Sequence, residues 1–296
     1  MACSAWAGKL AIVIDDFGYR PAQENQVLQM PAAISVAVLP NAPHAREMAT
    51  KAHQRGHEVL IHLPMAPLSK QPLEKDTLFP GMSGAEISRI IQEAVADVPY
   101  AVGLNNHMGS AMTSSLPGMQ KVMQVLDHYN FYFLDSMTIG NSQSTKAAAG
   151  TSVKVIKRRV FLDDTQNEAD IRKQFSRAVR LAQRNGSAIA IGHPHPTTVR
   201  VLQQMLPTLP ADITLVRPSD LLNESQHDRA KPQAPVKKPA PPRNPFHGVE
   251  ICPVKLQPVP TRLAMTVIAE SIADSRGMQY IKTYFSGLRL NPENTP

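Results

Sequence analysis

Residues 12–18 read Ile-Val-Ile-Asp-Asp-Phe-Gly, and this stretch decides the fold class. Three consecutive β-branched apolar residues are typical of a strand that is buried on both faces, and two carboxylates follow at its end. Further short apolar segments, rich in Val and Ile, repeat the first half of this pattern along the chain. The segments predicted as strands are Leu10–Ile14, Ile34–Leu39, Val59–Leu63, Tyr100–Leu104, Phe131–Leu134, Val153–Ile156, Ala188–Ile191 and Ile213–Val216.

Helical patterns lie between most of these strands. Ser83–Glu86 and Thr165–Glu168 have the capping-box sequence that starts a helix, and Gly186 could end the helix that the second one begins. Strands that alternate with helices indicate a parallel sheet covered by helices. About seven or eight such units between residues 9 and 222 favour a barrel over an open sheet, so we predict an α/β fold built on a (β/α) barrel.

Polar side chains gather where the predicted strands end. In a parallel barrel these carboxyl ends meet on one face, where active sites are built. The residues at these strand ends are Asp15 and Asp16; His62; Asn105, Asn106 and His107; Asp135; Asp163; and His193 and His195. Each one alone has a plain interpretation, since Asp135 or Asp163 could cap a turn or a helix and a lone histidine could be a bonded core residue. Together, carboxylates and imidazoles on one face favour a divalent metal site with acid and base groups beside it.

Composition and charge exclude several classes of protein. Apolar residues make up 43% of the 296 residues, which is close to the globular average and unlike disordered, collagenous or coiled-coil chains. No run of about 18 apolar residues occurs, so we expect no membrane span. The net charge is +7, but residues 1–222 contribute only +3, and nothing in that balance requires nucleic acid. The two cysteines, Cys3 and Cys252, cannot form a disulfide framework or a zinc knuckle.

The two ends of the chain differ from its main body. Ala5-Trp6-Ala7 fits the small-x-small pattern before a signal-peptidase cut, so we interpret residues 1–8 as the remnant of a leader and expect a periplasmic or secreted protein. Nine prolines between Lys231 and Pro260 predict an extended linker over residues 223–260. Residues 261–296 carry a weak helical pattern and are interpreted as a tail that could form a short helix. This Pro-rich tail could bind a protein partner.

Three of these stretches resemble the motifs of a known family, the polysaccharide deacetylases, in their divergent branch. The family's first motif is a strand that ends in paired aspartates followed closely by glycine, as in residues 12–18. Its second motif, Gly-His-Glu with a metal-binding histidine four residues after the Glu, matches residues 56–62, and a late strand ending in histidine matches residues 189–193. Residues 105–110 and 192–196 look specific to the divergent branch. The resemblance covers about residues 9–222.

The resemblance implies a distorted (β/α) barrel of about seven parallel strands, of the NodB-homology type, with the Pro-rich tail outside it. It also implies a hydrolase that removes acetyl groups from an envelope glycan with a metal-activated water, the metal being zinc or another divalent cation. By the family pattern, Asp15 is the general base and His193 is the general acid. Asp16 and His62 are metal ligands by the same pattern.

The sequence departs from the family pattern in two places. The family has a second ligand histidine four residues after the first, but position 66 here is alanine. His107, at the end of the next predicted strand, is our candidate for the missing ligand. The Arg-containing substrate motif that usually follows the third strand is absent as well. Contact with substrate is assigned to further polar residues at the strand ends, namely Asn105, Asn106, Asp135, Asp163 and His195.

Two other functions are compatible with the sequence. The barrel could be kept without catalysis, leaving a glycan-binding or partner-binding envelope protein, and the two departures favour this hypothesis. The intact Asp15, Asp16 and His193 oppose it, because a protein that only binds needs no acid and base. The third hypothesis is another metal-assisted hydrolase on the same barrel.

Overall fold

The computed structural model describes residues 7–223 of the chain. The strands are β1 (Gly8–Phe17), β2 (Ser35–Val38), β3 (Val59–Met65), β4 (Ala101–Met108), β5 (Tyr132–Asp135), β6 (Val155–Lys157), β7 (Val160–Phe161), β8 (Ser187–Gly192) and β9 (Ile213–Val216). The helices are α1 (Pro21–Val27), α2 (Ala45–Gln54), α3 (Gly84–Asp97), α4 (Ser110–Ser114), α5 (Leu116–Tyr129), α6 (Ser144–Ala147), α7 (Glu168–Asn185) and α8 (Pro196–Met205). Each segment predicted as a strand overlaps one of these strands, and the one described strand outside those segments, β7, has two residues.

The strands form one sheet in which every pair of neighbours is parallel. Its order is β6-β5-β4-β3-β2-β1-β8-β7, and β9 pairs with β1 beside this path. The two end strands, β6 and β7, are joined by residues 158 and 159 alone, so the sheet curls back toward its own beginning. The prediction of a distorted parallel (β/α) barrel is confirmed.

Alternate side chains of β1 show how the sheet is covered on both faces. Leu10, Ile12 and Ile14 are fully buried in the large cluster that includes the helices. Ala11 and Val13 belong to a second cluster inside the curl of the sheet. The buried members of that inner cluster come mainly from six strands and are Ala11, Val13, Ala37, Leu60, Tyr132, Leu134, Ile156, Ile189, Ile191 and Leu221. Because both faces are covered, the strands are apolar nearly throughout, which makes the polar residues at their carboxyl ends conspicuous in the sequence.

Several strands extend further than the sequence predicted, and the two longest extensions at the carboxyl ends, those of β1 and β4, carry site residues. β1 continues to Phe17 and β4 continues to Met108, because their polar ends still pair with neighbouring strands. Asp15, Asp16 and residues 105–107 therefore lie within strands rather than in the loops that follow them. A residue held in a strand has a better defined direction than one in a loop, which suits a site that needs fixed geometry.

The predicted helix starts agree with the structure in one case and differ in the other. The side chains of Ser83 and Glu86 cap each other's backbone N–H groups at the start of α3, so this capping box is confirmed. The capping box predicted at Thr165 is wrong, because α7 begins two residues later. Its N-cap is Asn167, whose side chain accepts hydrogen bonds from backbone N–H groups of the first turn, as asparagine does well. Gly186 ends α7, as predicted.

Three sequence predictions fall on residues outside the described range. They are the leader of residues 1–8, the linker of residues 223–260 and the tail of residues 261–296. Of these, only residues 7, 8 and 223 are described. Among the helices of residues 7–223, none is long and apolar enough to cross a membrane.

Candidate active site

The carboxyl ends of β3 and β4 bring predicted site residues together. The two strands lie side by side in register, with His62 opposite Asn105 and Pro64 opposite His107. Since side chains alternate along a strand, Asn105 and His107 face one side, while Asn106 between them faces the other. The pairing therefore sets two side chains of β4 beside His62.

Two consecutive aspartates of β1 reach the same place because the strand is irregular there. The register between β1 and β2 shifts between Ile14 and Phe17, and Asp16 has a backbone φ of 57°. A positive φ is uncommon for a residue with a side chain and costs about 1–3 kcal/mol. In a regular strand Asp15 and Asp16 would point to opposite faces, so the irregularity lets both carboxylates serve one site.

Asp16, His62 and His107 place three candidate ligand atoms in a small triangle. Asp16 Oδ1 lies 3.2 Å from His62 Nε2 and 3.1 Å from His107 Nδ1, and the two ring nitrogens are 3.1 Å apart. Ligands about 2.0–2.1 Å from a tetrahedral zinc are about 3.3 Å apart, so the triangle has nearly the size of one face of such a shell. Asp16 Oδ1 is buried and makes no hydrogen bond of good geometry within residues 7–223. A buried carboxylate oxygen beside two imidazole nitrogens fits a divalent cation.

Hydrogen bonds behind this triangle orient His62. Its Nδ1 lies 2.7 Å from Asn105 Oδ1, and Asn105 Nδ2 donates to Asp15 Oδ1 at 2.7 Å. With Asn105 oriented in this way, neutral His62 donates from Nδ1, and its Nε2 presents a lone pair to the triangle. A histidine that binds a metal through one nitrogen usually donates to an oxygen through the other. Asn105, which we predicted to contact substrate, thus connects His62 with Asp15.

The paired carboxylates give the site a negative potential. Burial acts to raise the pKa of Asp16, but the close imidazoles of His107 and His62 hold it well below its usual range. Burial raises the pKa of Asp15, an effect that the charges of His62 and His193 oppose. Burial acts to lower the pKa of His62, but the charges of Asp15 and Asp16 outweigh it, and the pKa is raised. The same potential that attracts a proton to His62 would attract a cation to the triangle.

His193, directly after β8, is held by a carboxylate that follows β7. Its Nδ1 lies 2.9 Å from Asp163 Oδ1, while Asp163 Oδ2 accepts the His193 backbone N–H and the Thr198 hydroxyl, each at 2.7 Å. The other ring nitrogen, Nε2, lies 4.0 Å from Asp16 Oδ2. Burial opposes the charged imidazole, but the hydrogen bond and charge of Asp163 raise the pKa of His193 to about 9. His193 is therefore protonated at neutral pH in the metal-free protein, and Asp163, which we predicted to contact substrate, positions it.

Replacing Asp163 with Asn is expected to lower the pKa of His193 by about two units in the metal-free protein, because the amide removes the charge that stabilises the imidazolium. Since this pKa is raised, protonated His193 stabilises the fold fully below about pH 6.5, and the contribution is lost as pH rises through about 9. Asp163→Asn should therefore lose more stability at mildly acidic pH than at alkaline pH. Imidazole NMR titration and thermal unfolding across pH measure the two effects. An unchanged pKa of His193 in the variant would contradict the role given to Asp163.

Comparison with known proteins identifies the family. The model of the divergent polysaccharide deacetylase family matches residues 12–222. The chain belongs to this family. It is 67% identical over 289 residues to the uncharacterized protein YibQ of Escherichia coli strain K12. The matched region covers 97% of this chain and 90% of that relative. An uncharacterized protein of Haemophilus influenzae is 43% identical over 224 residues, covering 76% of this chain and 80% of the relative. The crystal structure of uncharacterized protein ATU2773 from Agrobacterium tumefaciens matches with a TM-score of 0.68 at 21% identity, covering 75% of this chain and 92% of that one, and has the same fold.

In this member of the family, the position of the usual second ligand histidine is enclosed. Ala66 is 4% exposed, and its carbonyl accepts the backbone N–H groups of Ala111 and Met112 at the start of α4. The short side chain lets the start of α4 lie directly on the end of β3. His107 reaches the triangle from the neighbouring strand, which is the placement that the predicted replacement of the ligand requires.

An open pocket of about 150 Å³ lies beside the triangle of this deacetylase fold. Its lining residues are Asp16, Tyr19, Arg20, Leu39, Glu74, His107, His193, Pro194 and His195. Sequence reasoning missed Tyr19, Arg20 and Glu74, because they lie in loops, two to nine residues beyond the strand ends. The Tyr19 hydroxyl donates to Glu74 Oε2 at 3.0 Å, which ties the loop after β1 to the loop after β3. One signal in the sequence could have indicated Tyr19 and Arg20 as pocket residues, namely that they follow the paired aspartates within five residues.

Glu24 fixes the loop that carries two of these pocket residues. One oxygen of its fully buried carboxylate accepts the backbone N–H groups of Gly18, Tyr19 and Arg20 at distances between 2.6 and 3.0 Å. Gly18 has a φ of 114°, and a Cβ there would lie 2.5 Å from the Ala42 Cβ, so only glycine fits this turn. The turn directly after the paired aspartates is therefore held in one conformation.

His195 lies in the pocket lining beside a permanent cation. Arg20 Nη1 is 2.9 Å from His195 Nδ1, and because a guanidinium only donates, His195 accepts at Nδ1 and is neutral in this arrangement. Burial lowers the pKa of His195, and the charges of His193 and Arg20 lower it further, against the opposing charge of Asp163. The predicted contact of His195 with substrate agrees with its position and stays a prediction.

Asn106 and Asp135 do not line this pocket. Asn106 Oδ1 accepts the backbone N–H of Ser136 at 2.9 Å, and its Nδ2 donates to the Met108 carbonyl at 2.6 Å. Asp135 is fully buried and accepts the Met137 backbone N–H and a serine hydroxyl. Both side chains brace the ends of β4 and β5 with internal hydrogen bonds, and this placement gives no support to their predicted contact with substrate.

Arg158, which no sequence pattern selected, closes the seam between the two end strands of the sheet. Its Nε and Nη2 donate to the carbonyls of Ser136 and Met137 at 2.6 and 2.8 Å. The centre of its guanidinium lies 3.6 Å from the centroid of the Phe161 ring, and that ring lies 6.2 Å from the ring of His193. Burial lowers the pKa of Arg158, but a guanidinium stays charged at any physiological pH. A half-buried cation thus lies behind the wall of the site that carries His193.

Proposed function

We propose that this protein is a metal-dependent hydrolase that removes acetyl groups from an envelope glycan. The observation that carries the proposal is the triangle of Asp16, His62 and His107 with two acid–base groups, Asp15 and His193, beside it. Membership of the divergent polysaccharide deacetylase family supports carbohydrate as the class of substrate. A protein that only binds a glycan would need neither the triangle nor a histidine kept protonated at neutral pH.

The residues present fit a divalent cation, and two imidazoles with one carboxylate favour zinc over magnesium or calcium. Asp16 Oδ1, His62 Nε2 and His107 Nδ1 would hold it, and three protein ligands are typical of catalytic rather than structural zinc. When bound, such a cation lowers the pKa of water and polarises a carbonyl oxygen.

Asp15 and His193 would handle the two proton transfers of hydrolysis. Asp15 would accept a proton from the attacking water as the water oxygen adds to the acetyl carbonyl carbon. His193 would donate its Nε2 proton to the sugar nitrogen or oxygen as the bond to the acetyl carbon breaks, giving acetate and a free amine or hydroxyl. Asn105 holds Asp15 by a 2.7 Å hydrogen bond, and Asp163 keeps His193 charged before the transfer.

An envelope glycan as substrate implies that the protein acts in the periplasm or outside the cell. The Ala5-Trp6-Ala7 pattern supports this location, because it matches a signal-peptidase site. N-terminal sequencing of the mature chain from its native host tests it, and an uncut cytoplasmic product would oppose it.

Acetate release from acetylated envelope glycans by the zinc-loaded full chain tests the proposed function. We expect release from at least one N- or O-acetylated glycan, its loss on chelation and its return with zinc. Asp15→Asn is the matched control, because the amide keeps the size of the carboxylate but cannot act as the base. It should release little acetate while binding zinc. A zinc-loaded parent that binds glycans but releases no acetate from any of them would favour the glycan-binding hypothesis.

A further inference from the structure

The outward face of α7 carries a row of cations. The helix packs its apolar side against the sheet through buried residues that include Ile171, Phe175, Ala178 and Ala182. On its other side, Lys173, Arg177, Arg180 and Arg184 are all exposed. Their spacings of four, three and four residues put them on one face of a helix. We call these four residues the α7 basic face.

No carboxylate within residues 7–223 pairs with any residue of the α7 basic face. Arg177 donates to the side-chain amide oxygen of Gln174, and Arg184 donates to that of Asn185. Other helical cations of the protein do have acidic partners, among them Lys51 with Glu47, Arg89 with Glu93 and Arg200 with Glu168. Like charges three or four residues apart destabilise a helix. The helix dipole favours Arg184 in the last turn, but it does not account for Arg177 and Arg180 near the middle.

Three of these guanidinium groups share one shallow hollow. Arg177, Arg180 and Arg184 line it together with Leu181 and Gln183, and its volume is about 570 Å³. Guanidinium groups bind phosphate oxygens through paired hydrogen bonds, and they retain their charge at any physiological pH. The hollow therefore offers several phosphate-binding groups on an apolar floor.

We propose that the α7 basic face binds the surface of a membrane that contains anionic phospholipids. The row spans about 17 Å, since 11 residues of helix rise about 1.5 Å each. A single small anion would reach one or two of the four cations, whereas a layer of phosphate headgroups meets all four at once. The face lies on an outer helix of the barrel, and no element of residues 7–223 covers it. This proposal does not depend on the proposed catalytic function.

The test is sedimentation of the full chain with vesicles of equal parts phosphatidylglycerol and phosphatidylcholine, compared with vesicles of phosphatidylcholine alone. The variant Arg177→Gln/Arg180→Gln/Arg184→Gln removes three cations while keeping good helix formers. Each cation near an anionic surface contributes about fivefold to binding, so the variant should bind on the order of a hundredfold more weakly. The matched control, Lys51→Gln/Arg89→Gln/Arg200→Gln, removes the same charge from cations that have acidic partners, and circular dichroism checks that both variants fold.

We expect the parent to bind the anionic vesicles and not the neutral ones, the first variant to lose binding, and the control to stay within a few-fold of the parent. Equal losses in the two variants would show that net charge alone drives binding, and would overturn the proposal. A parent that ignores anionic vesicles would overturn it as well. If trace concentrations of inorganic polyphosphate displace the protein from the vesicles, the ligand is a soluble polyanion instead, and the proposal is overturned.

Discussion

Replacing His107 with Ala is expected to lower the affinity of the protein for zinc by at least about a hundredfold, because changes outside the ligand shell already cost about 10–100-fold. His107 Nδ1 lies within 3.2 Å of both other candidate ligand atoms. The four positions after His62 offer no substitute, since they are Leu63, Pro64, Met65 and Ala66. His62→Ala should have an effect of similar size, since its Nε2 is another corner of the same triangle. Metal-competition titration of the purified variants measures both affinities.

His195→Ala is the matched control for this loss of zinc affinity. His195 is also a histidine of the pocket lining, but its Nδ1 is bonded to Arg20 and it lies outside the triangle. Its replacement should leave zinc affinity within a few-fold of the parent. Zinc affinity that survives His107→Ala but falls in His195→Ala would show that the cation is bound at Asp163, His193 and His195, the other group of potential ligands in the described residues.

His193→Ala is expected to lower the rate of acetate release by about 10²–10⁴-fold, the usual contribution of a general acid or base. Zinc affinity should change little, because Asp163 engages Nδ1 and Nε2 lies 4.0 Å from the nearest oxygen of Asp16. The loss should appear in kcat, since the proton is transferred only as the leaving group departs.

Substrates with different leaving groups give this prediction a second readout. An O-acetyl ester has a better leaving group than an N-acetyl amide and needs less help from an acid, so His193→Ala should slow the amide more than the ester. Equal slowing of both, or a large loss of zinc affinity in the same variant, would contradict the role of His193 as general acid.

The strand pattern predicted the fold well because both faces of the sheet are covered. β9 is a short apolar segment between Asp212 and Arg217, and its position was predicted without error. β2 was predicted to within one residue at each end. The same contrast between apolar strands and polar ends selected Asp15, His62 and His193. The boundary of α7 was missed because Thr165 and Asn167 are both good caps, and it is the Asn167 side chain that accepts the backbone N–H groups of the first turn.

Other parts of the site could not be read from the pattern, because they depend on strand register and on loops. The pairing of Pro64 with His107 sets the spacing between the two imidazoles, and no single strand contains that information. Asp15 and Asp16 face the same side because β1 is irregular at this point. The alternation of side chains along a strand does not predict this irregularity. Arg20 and Glu74 enter the pocket from loops whose paths are fixed by contacts such as those of Glu24.

Anomalous diffraction at the zinc absorption edge, from crystals of the zinc-loaded protein, tests the central claim most directly. We expect one strong peak at bonding distance from Asp16 Oδ1, His62 Nε2 and His107 Nδ1. The backbone of β3 and β4 should not move, because the three atoms already form a triangle of nearly the required size. A peak at Asp163, His193 and His195 instead, or no peak at the triangle under saturating zinc, would contradict it.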